Sequence, residues 1–271
     1  MIHDRPEQAK KLLRLLDHMD NDIFIHIDRR SRMNTGTFDS VCRLSKVTFI
    51  PSRRIHWGGF SQMWTEIRLL EASVPGHYSR YHLISGRDLP LHSQEYIHDF
   101  TDSRPDTEFI SMWPPKDDTF MRYHYYTLFP EGNRFFLTHW LNGLCKKTLK
   151  ALHLSMNNDK PVKYGANWFC ITDSCAQMLV RRSAEIRKRF RHVSNSDELM
   201  LQTTVYDSCL RDRISGDDLR LVDWSAGGRH PHTFTIGDWD RLDSATELFA
   251  RKFDEKIDNE IIEKLFSKLY E

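Results

Sequence analysis

Short apolar runs alternate with stretches of helical period through the first half of the chain, and this alternation limits the fold to a sheet joined by crossover helices. Leu12, Leu13, Leu15, Leu16 and Met19 recur at helical spacing behind Pro6, so a helix is expected over 6–19. Ile23-Phe24-Ile25-His26-Ile27 reads as a buried strand, and Val47-Thr48-Phe49-Ile50 as a second one stopped by Pro51. Met63, Ile67 and Leu70 restore the helical period over 61–73, Tyr81 to Ser85 is a third strand, and Glu95 to Phe100 another helix. Residues 104–160 are less regular and dense in aromatics, a pattern that fits a cleft lining or a satellite core under long loops. Order returns with strands at 167–171, 219–222 and 233–236 and helices over 174–190, 196–206 and 257–270. No repeat, low-complexity tract or Gly/Ser linker interrupts the chain, so one domain over 1–271 is expected. A strand-helix-strand order implies a mostly parallel sheet, whose ligands sit beyond the carboxyl ends of the strands.

Composition removes several function classes. With 39 Lys+Arg against 38 Asp+Glu the net charge is +1, too little basic excess for a general nucleic-acid binder. No apolar run approaches the ~18 residues of a membrane helix, and Met1 to Pro6 has no apolar core of the secretory kind. Cys42, Cys145, Cys170, Cys175 and Cys209 are few, odd in number and scattered, which suits reduced thiols in a cytosolic protein.

Phosphate-cradling and nucleophile motifs are missing: the chain contains no GxGxxG, GxxxxGK[ST] or GxSxG. Three polar strand exits, Asp28-Arg29-Arg30, Ser52-Arg53-Arg54 and Gly86-Arg87-Asp88, suit a ligand with phosphates and a ribose, or simple solvation. Trp57-Gly58-Gly59 reads as a turn whose glycines permit positive φ before the 61–73 helix. Asp20-Asn21-Asp22 and Asp238-Trp239-Asp240 have the D-x-D spacing that holds a divalent ion against a diphosphate. The first pair precedes its strand and so lies at the wrong sheet edge. The second is read more economically as a helix cap. The basic run Arg181-Arg182, Arg187-Lys188-Arg189, Arg191 fits a solvated helix face, or more sharply an anionic membrane surface. Glu198, in the first turn of a helix, is either a capping-box residue or a base, and the cations Arg229 and Lys252 are its chemically interesting companions.

Six segments, in order, resemble the core-2/I-branching glycosyltransferase family, which includes β-1,6-N-acetylglucosaminyltransferases and peptide O-xylosyltransferases. They are Ile25-His26-Ile27-Asp28-Arg29-Arg30-Ser31, Trp57-Gly58-Gly59-Phe60-Ser61, Tyr81 to Leu91, Ser196-Asp197-Glu198, Val222-Asp223-Trp224 and Leu248 to Asp254. The resemblance implies a GT-A type α/β fold, a mostly parallel central sheet flanked by helices. It also implies a UDP-sugar donor and inversion at the anomeric carbon without a metal or other cofactor. By the same resemblance Glu198 matches the catalytic base, and Arg229 with Lys252 the cations that grip the diphosphate. Asp28, Trp57 and His3 match donor contacts; Glu108, Arg122 and Trp224 fall in segments that bind the acceptor. GlcNAc is the expected sugar and xylose the alternative, with a non-catalytic carbohydrate-binding relative as a further one. The expected acceptor is a glycan or lipid-linked glycan, with peripheral membrane contact.

Two departures shape further expectations. Of the hydrophobic strand that usually opens the family only Met1-Ile2-His3 is present, so a truncated first strand is expected. The anchor, stem and disulfide set of animal Golgi members are missing from the sequence. That combination suggests a cytoplasmic, bacterial-type enzyme of polysaccharide biosynthesis, in contact with the inner membrane face at most.

Overall fold

The structure, a computed structural model, describes residues 1–131, 136–158, 161–228 and 230–270. In chain order the elements are α1 (Pro6–Leu15), β1 (Asp22–Ile25), β2 (Lys46–Phe49), α2 (Phe60–Ser73), β3 (Arg80–His82), β4 (Asp88–Pro90), α3 (Gln94–Asp102) and β5 (Glu108–Ser111). There follow α4 (Asp117–His124), α5 (Phe136–Ala151), β6 (Phe169–Thr172), α6 (Asp173–Arg181), α7 (Ser183–Phe190) and α8 (Asp197–Tyr206). The chain closes with β7 (Ile214–Gly216), β8 (Arg220–Val222), α9 (Trp239–Asp243), β9 (Phe249–Arg251) and α10 (Glu260–Leu269). The result is mixed α/β, as the alternation of periods required. It divides into two compact units that interleave along the sequence, Met1–Arg53, Leu83–Pro105 and Leu219–Glu271 in the first, Arg54–His82 and Asp106–Asp218 in the second.

In the first unit β1 and β2 pair in parallel from Asp22↔Lys46 to Ile25↔Phe49. Residues Met1–His3 extend this layer: Ile2 bridges Ile27 in parallel, and its backbone exchanges hydrogen bonds with His26 and Asp28 at 2.9 Å each. The short opening segment therefore makes the sheet contacts of a first strand. A second sheet has the order β4-β9-β8, with β9 antiparallel to β4 and parallel to β8. Leu12 and Leu15 of α1 and Ile261, Ile262 and Leu265 of α10 bury their side chains with Leu89, Ala250 and Phe253 in one apolar cluster. Full burial of a side chain such as Phe253 contributes about 2–3 kcal/mol.

The second unit holds the order β3-β6-β5-β7. Here β6 runs antiparallel to both β3 and β5, and only β5/β7 is parallel. Parallel and antiparallel pairings thus contribute equally among the described strands, where the strand-helix order implied a mostly parallel sheet. The reason lies in 104–160, read as irregular: it contributes β5, and β6 returns beside it in the opposite direction. Thr172 closes the N-terminus of α6, its hydroxyl accepting from Cys175 N at 3.3 Å.

Two elements differ from expectation for local reasons. The helix expected over 174–190 breaks at Arg182, whose guanidinium is drawn to Glu185 and to the Thr204 and Asp207 carbonyls at the end of α8. No strand forms at 233–236. Thr235 N instead donates to Asp238 Oδ2 at 2.8 Å, folding the chain into a capped turn ahead of α9.

Candidate active site

In the second unit Glu198 stands in the first turn of α8, its side chain about a third exposed. Arg122, on the last turn of α4 and nearly buried, donates through Nη1 to Glu198 Oε2 at 2.9 Å and pairs through Nε with the exposed Asp118 at 2.9 Å. Its guanidinium lies 5.4 Å from the centre of the Tyr164 ring. Burial works against the Arg122 cation, but Glu198 and Asp118 outweigh it and raise its pKa. The Tyr164 hydroxyl is pushed up as well, first by burial and then by the charge of Glu198. Trp113, half-exposed, pairs its backbone with Tyr164 at 2.8 Å and meets that ring edge-on. Glu198 thus has a fixed cation on one side and two aromatic rings in the same segment network.

The turn before α8 is fixed from below. Asn195 N donates to Gly58 O at 2.9 Å, Gly58 N donates to Gln62 Oε1 at 3.1 Å, and Gln62 Nε2 donates to Asp197 Oδ2 at 2.7 Å. Gly58 has φ +67°, and a Cβ there would meet Asn195 Oδ1 at 2.5 Å, so glycine is required on two grounds. This is the physical content of Trp57-Gly58-Gly59: the turn clamps the Ser196-Asp197-Glu198 loop and leaves the Trp57 ring exposed. Asp197 itself is buried, and burial, reinforced by the charge of Glu198, pushes its carboxyl up to about 7. Buried Glu66, which accepts from Asn167 at 3.2 Å, is raised well above the carboxylate range by burial and by Asp197. Side by side, these two acids are protonated more readily than surface carboxylates.

In the first unit Arg87 lies at the centre of a charge cluster. It donates through Nε and Nη2 to Asp4 at 3.0 and 2.5 Å and pairs through Nη1 with Asp254 at 2.6 Å. Arg5 grips the same Asp254 at 2.5 and 2.9 Å. Lys252, two residues before Asp254, is half-buried, and its ammonium is depressed by burial and by the charge of Arg87. The exit Gly86-Arg87-Asp88 serves the scaffold: Asp88 is fully buried, accepts from Ser85 N and Oγ at 3.0 and 2.9 Å, and faces Arg220. His3 is exposed beside Asp4, its Nε2 3.3 Å from Oδ1. Asp28 turns both carboxylate oxygens onto Arg30, with Nη2···Oδ2 at 2.9 Å and the Arg30 N···Oδ1 bond at 2.8 Å, so a nucleoside would share them. Trp224 is exposed after Asp223, which accepts from Ser225 N at 2.7 Å and pairs with Arg241. Arg229 lies outside the described residues.

These contacts bear on three readings. Glu108 is fully buried, and its two oxygens accept from Thr172 N at 2.9 Å and Oγ1 at 2.6 Å, so it supports the α6 cap and does not meet an acceptor. Arg122 is paired with Glu198 and Asp118, so an acceptor would have to share its guanidinium. Within the basic run, Arg182, Arg187 and Arg189 are engaged with Glu185, the Trp64 ring and the Tyr123 hydroxyl. The D-x-D candidates hold no paired ligand set. Asp238 accepts from Thr235 and sits 3.0 Å from His232 Nε2, the cap reading, and Asp22 accepts from Lys46 N at 3.3 Å. Asp20 groups instead with His18 and His98, their ligand atoms within 4.8 Å of one another. The aromatic density of 104–160 includes Trp113, whereas Tyr164, just beyond that stretch, had no signal in the sequence.

The Trp-Gly-Gly turn and the Ser196-Asp197-Glu198 helix start, two of the ordered segments, thus meet within one unit. Residues 1–246 match the Core-2/I-Branching enzyme family, and the chain belongs to this family of glycosyltransferases. It is 22% identical over 296 residues to Xylosyltransferase of Ciona intestinalis and 23% identical over 300 residues to Xylosyltransferase 2 of Homo sapiens. Each alignment takes in 100% of this chain and 33% of the relative, so the chain spans about a third of the length of these xylosyltransferases. Among solved structures, mouse Xyloside xylosyltransferase 1 in its apo form aligns over 92% of this chain and 95% of its own. Its TM-score is 0.38 at 10% identity, below the level at which a shared fold follows.

Proposed function

We propose that this chain transfers a sugar from a UDP-sugar to a hydroxyl group of a glycan-bearing acceptor by a single in-line displacement with inversion, without a divalent metal. Glu198 removes the acceptor hydroxyl proton as that oxygen forms its bond to the anomeric carbon. The bond from that carbon to the diphosphate oxygen breaks, and UDP leaves with the electron pair. The observation that carries the proposal is the Arg122–Glu198 pair: a partly exposed carboxylate held in one orientation by a buried guanidinium, at a turn clamped by Gly58. Arg122 orients the base, and the rings of Trp113 and Tyr164 offer flat faces to a sugar. By the family resemblance alone, Lys252 and Arg229 match cations that oppose the charge developing on a leaving diphosphate, a stabilisation of about 3–4 kcal/mol per contact. The names of the relatives support xylosyl transfer, and the family resemblance supports N-acetylglucosaminyl transfer.

The test is a thermal-shift panel of UDP, UDP-xylose and UDP-GlcNAc, followed by UDP-release assays with and without EDTA. A bound donor is expected to raise the melting temperature, since ligand at about a hundred times its Kd adds ~2.7 kcal/mol. Release is expected to continue in EDTA. Failure of every nucleotide to shift the transition would contradict the reading, and a requirement for Mn²⁺ would contradict its metal-independent part.

A further inference from the structure

Helix α5 is built unlike the other long helices. Of its 16 residues only Asn142 is buried. Its inward side mixes half-buried Leu141, Cys145 and Leu149 with polar contacts: Asn142 Oδ1 accepts from Phe129 N at 3.0 Å, Asn142 Nδ2 donates to Phe129 O at 3.2 Å, and Lys146 Nζ donates to Ser194 Oγ at 3.0 Å. Its largest apolar side chains face outward. Phe136 is 87% exposed, and Trp140 and Leu144 follow at four-residue spacing, 54% and 48% exposed, with Leu137 beside them. No Asp or Glu occurs between Phe136 and Ala151, whereas Lys147 and Lys150 are exposed on the same helix. Leu152 and Leu154 continue the exposed apolar surface past its end.

A helix that turns its aromatic side outward, with lysines and no acids, has the composition of one lying in a membrane interface. No described helix is long and apolar enough to cross a membrane. We propose that the outer face of α5 docks on an anionic lipid bilayer, with Phe136, Trp140 and Leu144 in the headgroup–acyl boundary and Lys147 and Lys150 against lipid phosphates. Charge complementarity selects this occupant over a second copy of the chain, because two α5 faces would bring lysine against lysine. The basic run at 181–191 is a weaker candidate for the same role, since three of its arginines already have partners within the protein.

The experiment is flotation of the full chain with vesicles of phosphatidylcholine alone or mixed with phosphatidylglycerol, with no sugar nucleotide present, so that its outcome does not depend on transfer. The wild-type protein is expected to float with the anionic vesicles, with a blue shift of tryptophan emission. The double variant Trp140→Glu, Leu144→Glu is expected to lose about tenfold or more in partitioning at an unchanged melting temperature. Lys147→Glu with Lys150→Glu should remove the preference for anionic vesicles, and Arg181→Glu with Lys188→Glu should leave it intact. Absence of wild-type flotation would overturn the proposal. So would equal binding to both vesicle types, or a lipid-free dimer that Trp140→Glu dissolves.

Discussion

Arg87 and Arg122 are both nearly buried arginines gripped by two carboxylates, one in each unit, yet they end differently. The cluster around Arg87 is closed by charge, though Asp4 is about a third exposed: Asp4 and Asp254 take the guanidinium, and Arg5 pairs with both acids as well. The cluster around Arg122 ends in carboxylates open to solvent, Glu198 in part and Asp118 almost wholly. A network closed in this sense fixes backbone segments. An open one holds a reactive group in place while leaving it accessible. The lesson runs against motif density, because the richest signature in the sequence, Tyr81 to Leu91, contains the closed cluster's Arg87.

This contrast can be broken by mutation. Arg87→Ala would leave Asp4 and Asp254 with Arg5 as their one remaining cation in this cluster, and loss of hydrogen bonds to a charged group costs about 1.5–3 kcal/mol, read as a drop in the urea midpoint. Asp197→Asn tests the acid beneath Glu198. The folded pKa of Asp197, about 7, is raised above its ordinary 3.8, so its contribution to stability is intact below pH 4 and is lost as pH rises through 7. The variant is therefore expected to gain on the wild type with rising pH, by at most ~4 kcal/mol above pH 7, and to match it near pH 4. Gly58→Ala, which places a Cβ against Asn195 at positive φ, should cost ~1–3 kcal/mol by calorimetry and loosen the turn that leads to Glu198. Smallest in effect, Arg122→Lys keeps the charge but loses the fork between Asp118 and Glu198. A roughly tenfold lower kcat with unchanged donor KM and melting temperature would mark Arg122 as positioning the base.

Much of the scaffold was legible because periodicity reports burial. Leu12, Leu13 and Leu15 marked α1, Met63, Ile67 and Leu70 marked α2, and both helices lie within a few residues of the expected bounds. Glu198 and the Trp57 turn were legible through the ordered segments. Periodicity failed where side chains serve something other than a core. Helix α5 was hidden because its largest apolar residues face outward, and the strand at 108–111 because all four of its residues are buried and show no alternation. The role of Arg122 could not be read either, since its partner lies 76 residues away along the chain. Long-range ion pairs leave no local pattern in a sequence.

The most direct measurement is single-turnover transfer by Glu198→Gln, with UDP affinity determined on the same preparation. Glutamine keeps the contact size and can still face Arg122, but it cannot accept the hydroxyl proton. Transfer slowed by about 10²–10⁴-fold at near-wild-type UDP affinity is the expected result. Turnover within a few-fold of wild type would show that the proton goes elsewhere and that Glu198 is not the base.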